Sequence, residues 1–72
     1  MWKTRDTHVA AFLVAIGHPL RGLAGPRGRR EFVFDANAEP NRFAYFDDSR
    51  PVAPRKLFAA YRDLKSVLHA SA

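Results

Sequence analysis

The chain has 72 residues, room for one domain and one core. Its apolar content of 47% is ordinary for a globular protein, and the lack of cysteine removes disulfides and thiolate metal sites. A formal charge of +5, from nine arginines and three lysines against seven acids, favours polyanionic partners on electrostatic grounds.

A domain this small buries about 60% of its unfolded surface and keeps a net stability of roughly 3–5 kcal/mol. Either the aromatic side chains pack tightly or a partner covers some of them. No run of about 18 apolar residues occurs, so no bilayer-spanning segment is expected. Val9 to Ile16 is apolar, but Gly17, His18 and Pro19 follow where a secretory signal would place its cleavage site. A cytoplasmic chain is the expectation.

In chain order, Thr4-Arg5-Asp6-Thr7 offers capping oxygens for a helix. Val9, Phe12, Leu13 and Ile16 follow at i, i+3, i+4 and i+7, the spacing of one buried helical stripe. Gly17 supplies a left-handed stop and Pro19 forbids continuation. Leu20 to Ala24 and Glu31 to Asp35 flank Gly25-Pro26-Arg27-Gly28-Arg29-Arg30, which predicts a hairpin with a basic tip. Phe32 and Phe34 alternate with Val33, turning two rings toward the core, while Gly22 predicts a bulge or weak pairing.

From Asn37 to Asp48, Pro40 suits a first helical position, and Phe43 and Phe46 stand three apart, which predicts one short helix. Asp47-Asp48-Ser49-Arg50-Pro51 reads as a break, with Val52 in a short extended segment. Pro54 opens the last helix, whose apolar stripe is Leu57, Phe58, Tyr61, Leu64 and Leu68. Arg55, Lys56, Arg62, Asp63, Lys65 and Ser66 cover its other faces. The expected fold is a single α+β domain over residues 1–72: N-terminal helix, antiparallel β-hairpin, short helix, long C-terminal helix, with the helices packed on the hairpin.

Lys3-Thr4-Arg5-Asp6 through Ala10-Ala11 and Leu13 to Gly17 resembles the start of a small family of unknown function found in bacteria and their phages. Pro54-Arg55 through Ala60-Tyr61-Arg62-Asp63-Leu64-Lys65 resembles its end. The resemblance implies a phage or mobile-element setting and carries no assigned activity. The order helix, hairpin, helix is also similar to double-stranded-RNA-binding domains and to small messenger-RNA-cleaving toxins of that plan. That likeness implies a third strand before the last helix, for which Ser49 to Ala53 is the available segment. The toxins also carry a histidine within the sheet, whereas His8, His18 and His69 lie in or beside the helices here.

Two clusters could take phosphate. Arg55 and Lys56 stand at a helix N-terminus, where free amides add to the cations unless Asp6, Asp47 or Asp48 folds over them. Arg27, Arg29 and Arg30 stand on the hairpin tip, and Arg62 and Lys65 extend a patch along the last helix. Phe12, Phe32, Phe34, Phe43, Phe46, Phe58 and Tyr61 are expected in the core, leaving Trp2 and Tyr45 as the exposed rings, Trp2 over a helix end.

Catalysis has little material. The histidines lack metal-ligand spacing, Asp47-Asp48 reads as a solvated turn, and no phosphate loop or nucleophile elbow is present. No enzyme activity and no cofactor are expected. The leading expectation is a phage or mobile-element accessory protein that binds nucleic acid, non-specifically or by shape, through Arg27, Arg29, Arg30, Arg55, Lys56, Arg62 and Lys65. The alternative is a protein-interaction module: a homodimer, a subunit of an assembly or an inhibitor of a host protein. A ribonuclease toxin using His18 or His69 ranks third. The first reading is strongest if the basic clusters share one unneutralised face, and it fails if Arg29 and Arg55 lie on opposite sides, each locked to an acidic neighbour.

Overall fold

The computed structural model describes residues 1–47 and 50–70, with Asp47 in its backbone only. The fold is α+β. In chain order it comprises β1 (Trp2–Thr4), α1 (Thr7–Ala15), β2 (Gly22–Ala24), β3 (Glu31–Phe34), a 3-10 helix (Ala36–Asn41), α2 (Arg42–Asp47) and α3 (Pro54–Ala70). The strands form one antiparallel sheet in the order β1-β3-β2. Since β1 and β2 both run against β3, they are parallel to each other, and β3 is slotted between the two strands that α1 connects.

β1 corrects the sequence expectation. Trp2 pairs with Phe34 and Thr4 with Phe32, and the Trp2 and Phe34 ring centroids are 6.4 Å apart across the strands. Trp2 is thus a sheet residue, not a cover over a helix end. Residues 50–53 form no strand and Ser49 lies outside the described residues, so the third strand precedes α1 instead of preceding α3. The predicted hairpin is present. Arg21 and Gly22 both face Val33, Gly22 by register and Arg21 through an amide 2.8 Å from the Val33 carbonyl. Two residues against one is the arrangement of a β-bulge.

Asp6 caps α1, its Oδ1 accepting from the His8 and Val9 amides at 2.9 and 3.2 Å. At the other end Gly17, at φ 107°, lets its own amide reach the Val14 carbonyl and the His18 amide reach Leu13. That is a Schellman stop. The helix is apolar on more than the one expected stripe: Val9, Ala10, Ala11, Phe12 and Leu13 are all buried. Strands lie on one flank, where Phe32 and Phe34 join the core, and α3 packs along the other.

The 37–48 region differs in detail from its expectation. Pro40 sits inside the 3-10 helix, and α2 begins at Arg42. Phe43 and Phe46 share a face, but it is the outer one: they are 57% and 66% exposed. α3 starts at Pro54 as expected and buries Ala60 and Leu64, with Leu57, Tyr61 and Leu68 packed against the core. Phe58 is the exception at 66% exposed, and it leaves the expected stripe.

Candidate nucleic-acid interface

The seven cations expected at the site fall into two groups. α1 and α3 run antiparallel: His8, near the start of α1, stacks on Tyr61, while Ile16 beyond its end shares a cleft with Ala53 and Lys56. On the sheet side, Arg21 before β2 pairs with Asp35 after β3. The far end of β2, and with it the hairpin tip, therefore points to the pole where α1 begins. Arg55 and Lys56 stand at the pole where α1 ends. The tip and the N-terminus of α3 do not converge.

At the tip, Arg27 and Arg29 are exposed, and a turn closes from the Arg29 amide to the Pro26 carbonyl at 3.0 Å. Gly28 supplies the positive φ of 84° that this turn requires. Arg30 is half-buried and folds back, its Nη1 donating to the Gly25 carbonyl at 3.0 Å. It braces the loop, which corrects its expected place among the outward contacts.

At the start of α3, Pro54 has no amide hydrogen. The Lys56 and Leu57 amides donate to the Ala53 carbonyl at 3.0 and 3.2 Å. The phosphate cradle expected from free first-turn amides is thus largely used up by the helix itself. The side chains remain available. Asp6 is engaged in capping α1, and the Asp47 side chain and Asp48 lie outside the described residues.

The stronger arrangement is the outer face of α3. At 3.6 residues per turn, Arg55, Phe58, Arg62, Lys65 and His69 stand on one side of this 17-residue helix, and all are exposed. Lys56 lies on the other side of the helix, half a turn round from Lys65, where it lines a cleft with Val14, Ala15 and Asp63, the only acid described on α3. None of Arg55, Lys56, Arg62 and Lys65 is in an ion pair among the described residues. The Lys65 ammonium lies 5.5 Å from the centroid of the Tyr61 ring.

Beside this face runs a groove of about 260 Å³ between α1, α2 and α3, lined by His8, Ala11, Tyr45, Leu57, Phe58 and Tyr61. Its rings are ordered: His8 stacks on Tyr61 at 5.1 Å and 16°, and Tyr45 meets Phe12 at 5.8 Å and Phe46 at 5.1 Å, both edge-on. Sequence reasoning placed Phe43, Phe46 and Phe58 in the core, and all three are exposed. For Phe58 a signal existed, because it lies about 100° round the helix from Leu57, between Arg55 and Arg62. For Phe43 and Phe46, spacing established a shared face without saying which way it looks.

The remaining polar groups hold the fold. Arg21 donates from Nε and Nη2 to Asp35 Oδ2 at 3.1 and 2.8 Å, joining the strand ends. This hydrogen bond holds the Asp35 carboxyl below its ordinary range and raises the Arg21 guanidinium. A depressed carboxyl adds stability above its unfolded value, near pH 3.9, and the contribution fades as pH falls through the folded value. Both groups are exposed, so the effect is small. Arg21→Gln is expected to melt slightly below the parent above about pH 4 and to converge with it as the pH falls further into acid. Thermal melts across that range check this, and a gap that persists in acid would assign another role to Arg21.

His18 accepts at Nε2 from Asn41 Nδ2 at 2.7 Å, tying the end of α1 to the 3-10 helix. His69 is in the last turn of α3, at the opposite pole. The two histidines do not meet. Compared with protein-family models, curated proteins and solved structures, the chain matches none. No helix among the described residues is long and apolar enough to cross a membrane.

Proposed function

We propose that the chain is a nucleic-acid-binding domain that grips backbone phosphates along the outer face of α3. The observation that carries this reading is the alignment of Arg55, Arg62 and Lys65 on one exposed face of a helix whose single described acid, Asp63, is turned to the other side. From Arg55 to Lys65 the helix rises about 15 Å, enough to follow several phosphates of one strand. Arg27 and Arg29 make a second, separate point of contact, and Arg30 acts indirectly by bracing their loop. The chain is a binder and not an enzyme in this reading, and its setting in a phage or mobile element rests on the resemblance of its two ends.

Titration of a fluorescent 20-nucleotide strand at salt concentrations from about 50 to 200 mM tests it. Three phosphate contacts predict that log affinity falls with log salt at a slope of about −2. No binding at roughly 10 μM protein in low salt overturns the reading.

A second reading, a protein-interaction module, is favoured by α2, whose Phe43 and Phe46 are exposed. Light scattering separates the two, since a dimer that persists at high salt and ignores nucleic acid supports the second.

A further inference from the structure

We infer that the groove between α1, α2 and α3 takes one unpaired base, so that the ligand is a single strand whose phosphates lie on α3. The inference rests on the phosphate reading above and names its substrate class. Three features of the groove point the same way.

Its walls are aromatic. His8 and Tyr61 already lie nearly parallel, at 5.1 Å and 16°, and Phe58 stands at the lip with 66% of its surface in solvent. Flat rings of this kind stack on any base, since every base has a π-face. Its size fits: about 260 Å³ is below the usual volume for drug-sized ligands, and a single ring system needs no more.

Its rim is cationic. Phe58 lies between Arg55 and Arg62 along the outer face of α3, and Lys65 leans over Tyr61. Asp63 turns away, lining the cleft on the other side of α3 with Lys56, Val14 and Ala15. An apolar peptide would gain nothing from those cations, whereas a nucleotide has both a ring for the groove and a phosphate for the rim. A duplex keeps its bases stacked inside and cannot offer one without paying to unstack it.

The test compares three labelled probes by anisotropy: a thymidine 12-mer, an abasic 12-mer with the same phosphates, and a 12-base-pair duplex. The parent protein is expected to bind the thymidine strand about tenfold or more tightly than the abasic strand. Phe58→Leu, which keeps apolar bulk and removes the ring, is expected to bring the thymidine strand to the abasic level and leave abasic binding unchanged. Circular dichroism confirms that the variant is folded. Equal binding of thymidine and abasic strands by the parent overturns the base site and leaves the phosphate reading standing. Failure to bind any probe overturns both. A dimer that Phe58→Leu dissociates also overturns the base site, by assigning the groove to a second copy of the chain.

Discussion

Replacing Arg55, Arg62 and Lys65 together with alanine is expected to weaken binding of a single strand by about two orders of magnitude at 0.1 M salt. Each phosphate contact releases condensed counterions, so losing three should also flatten the salt slope by about 2 units. The loss should be nearly independent of sequence, because backbone contacts position a nucleic acid without reading it. All three side chains are exposed and make no ion pair among the described residues, so the variant should melt close to the parent. Arg27→Ala with Arg29→Ala supplies the contrast. The tip points to the pole opposite Arg55, and its loss is expected to cost less than about tenfold. If the tip variant loses more than the helix variant, the interface belongs on the hairpin.

Phe34→Ala is expected to leave the chain largely unfolded at room temperature. Phe34 has no exposed surface and sits opposite Trp2 in the central strand. Truncating a buried phenylalanine costs about 3–5 kcal/mol, through lost transfer energy and the cavity left behind. A single core in a domain of this size supplies roughly 3–5 kcal/mol in all, so one substitution removes most of it. Urea unfolding followed by circular dichroism measures both quantities. Phe46→Ala is the matched control: the same side chain at 66% exposure is expected to shift stability by no more than about 0.5 kcal/mol. A Phe34→Ala variant with near-parental stability would mean that the sheet closes over the gap or that the core lies elsewhere.

The parts of the fold legible in the sequence were those with local signals. α1 has a capping acid at Asp6 and a stop at Gly17, and α3 opens at Pro54, so α1 announces both its ends and α3 its start. The hairpin announces itself by glycines at the turn and by the alternation of Phe32 and Phe34. β1 has no such signal. Three residues are too few for a period, and what makes Trp2–Thr4 a strand is its pairing with β3 about thirty residues away. The candidate site was half legible. The cations could be counted, but whether they meet depends on which way each element runs. Antiparallel packing of α1 and α3 sends Arg55 away from the hairpin tip. Helical arithmetic alone aligns Arg55, Arg62 and Lys65, while the exposure of Phe43 and Phe46 depends on how a six-residue helix docks.

α1 is clad on both flanks, by strands on one side and by α3 on the other, while Arg55, Arg62 and Lys65 stay outside the core, in solvent. The molecule is in effect a scaffold with an interchangeable exterior. Arg55, Arg62 and Lys65 are not among the side chains packed with Leu13 and Phe32, and substitutions there should add to interior changes with little coupling. A different charge pattern could be written onto the same helix while the packing beneath it stays as it is, so ligand preference can diverge freely on an unaltered frame.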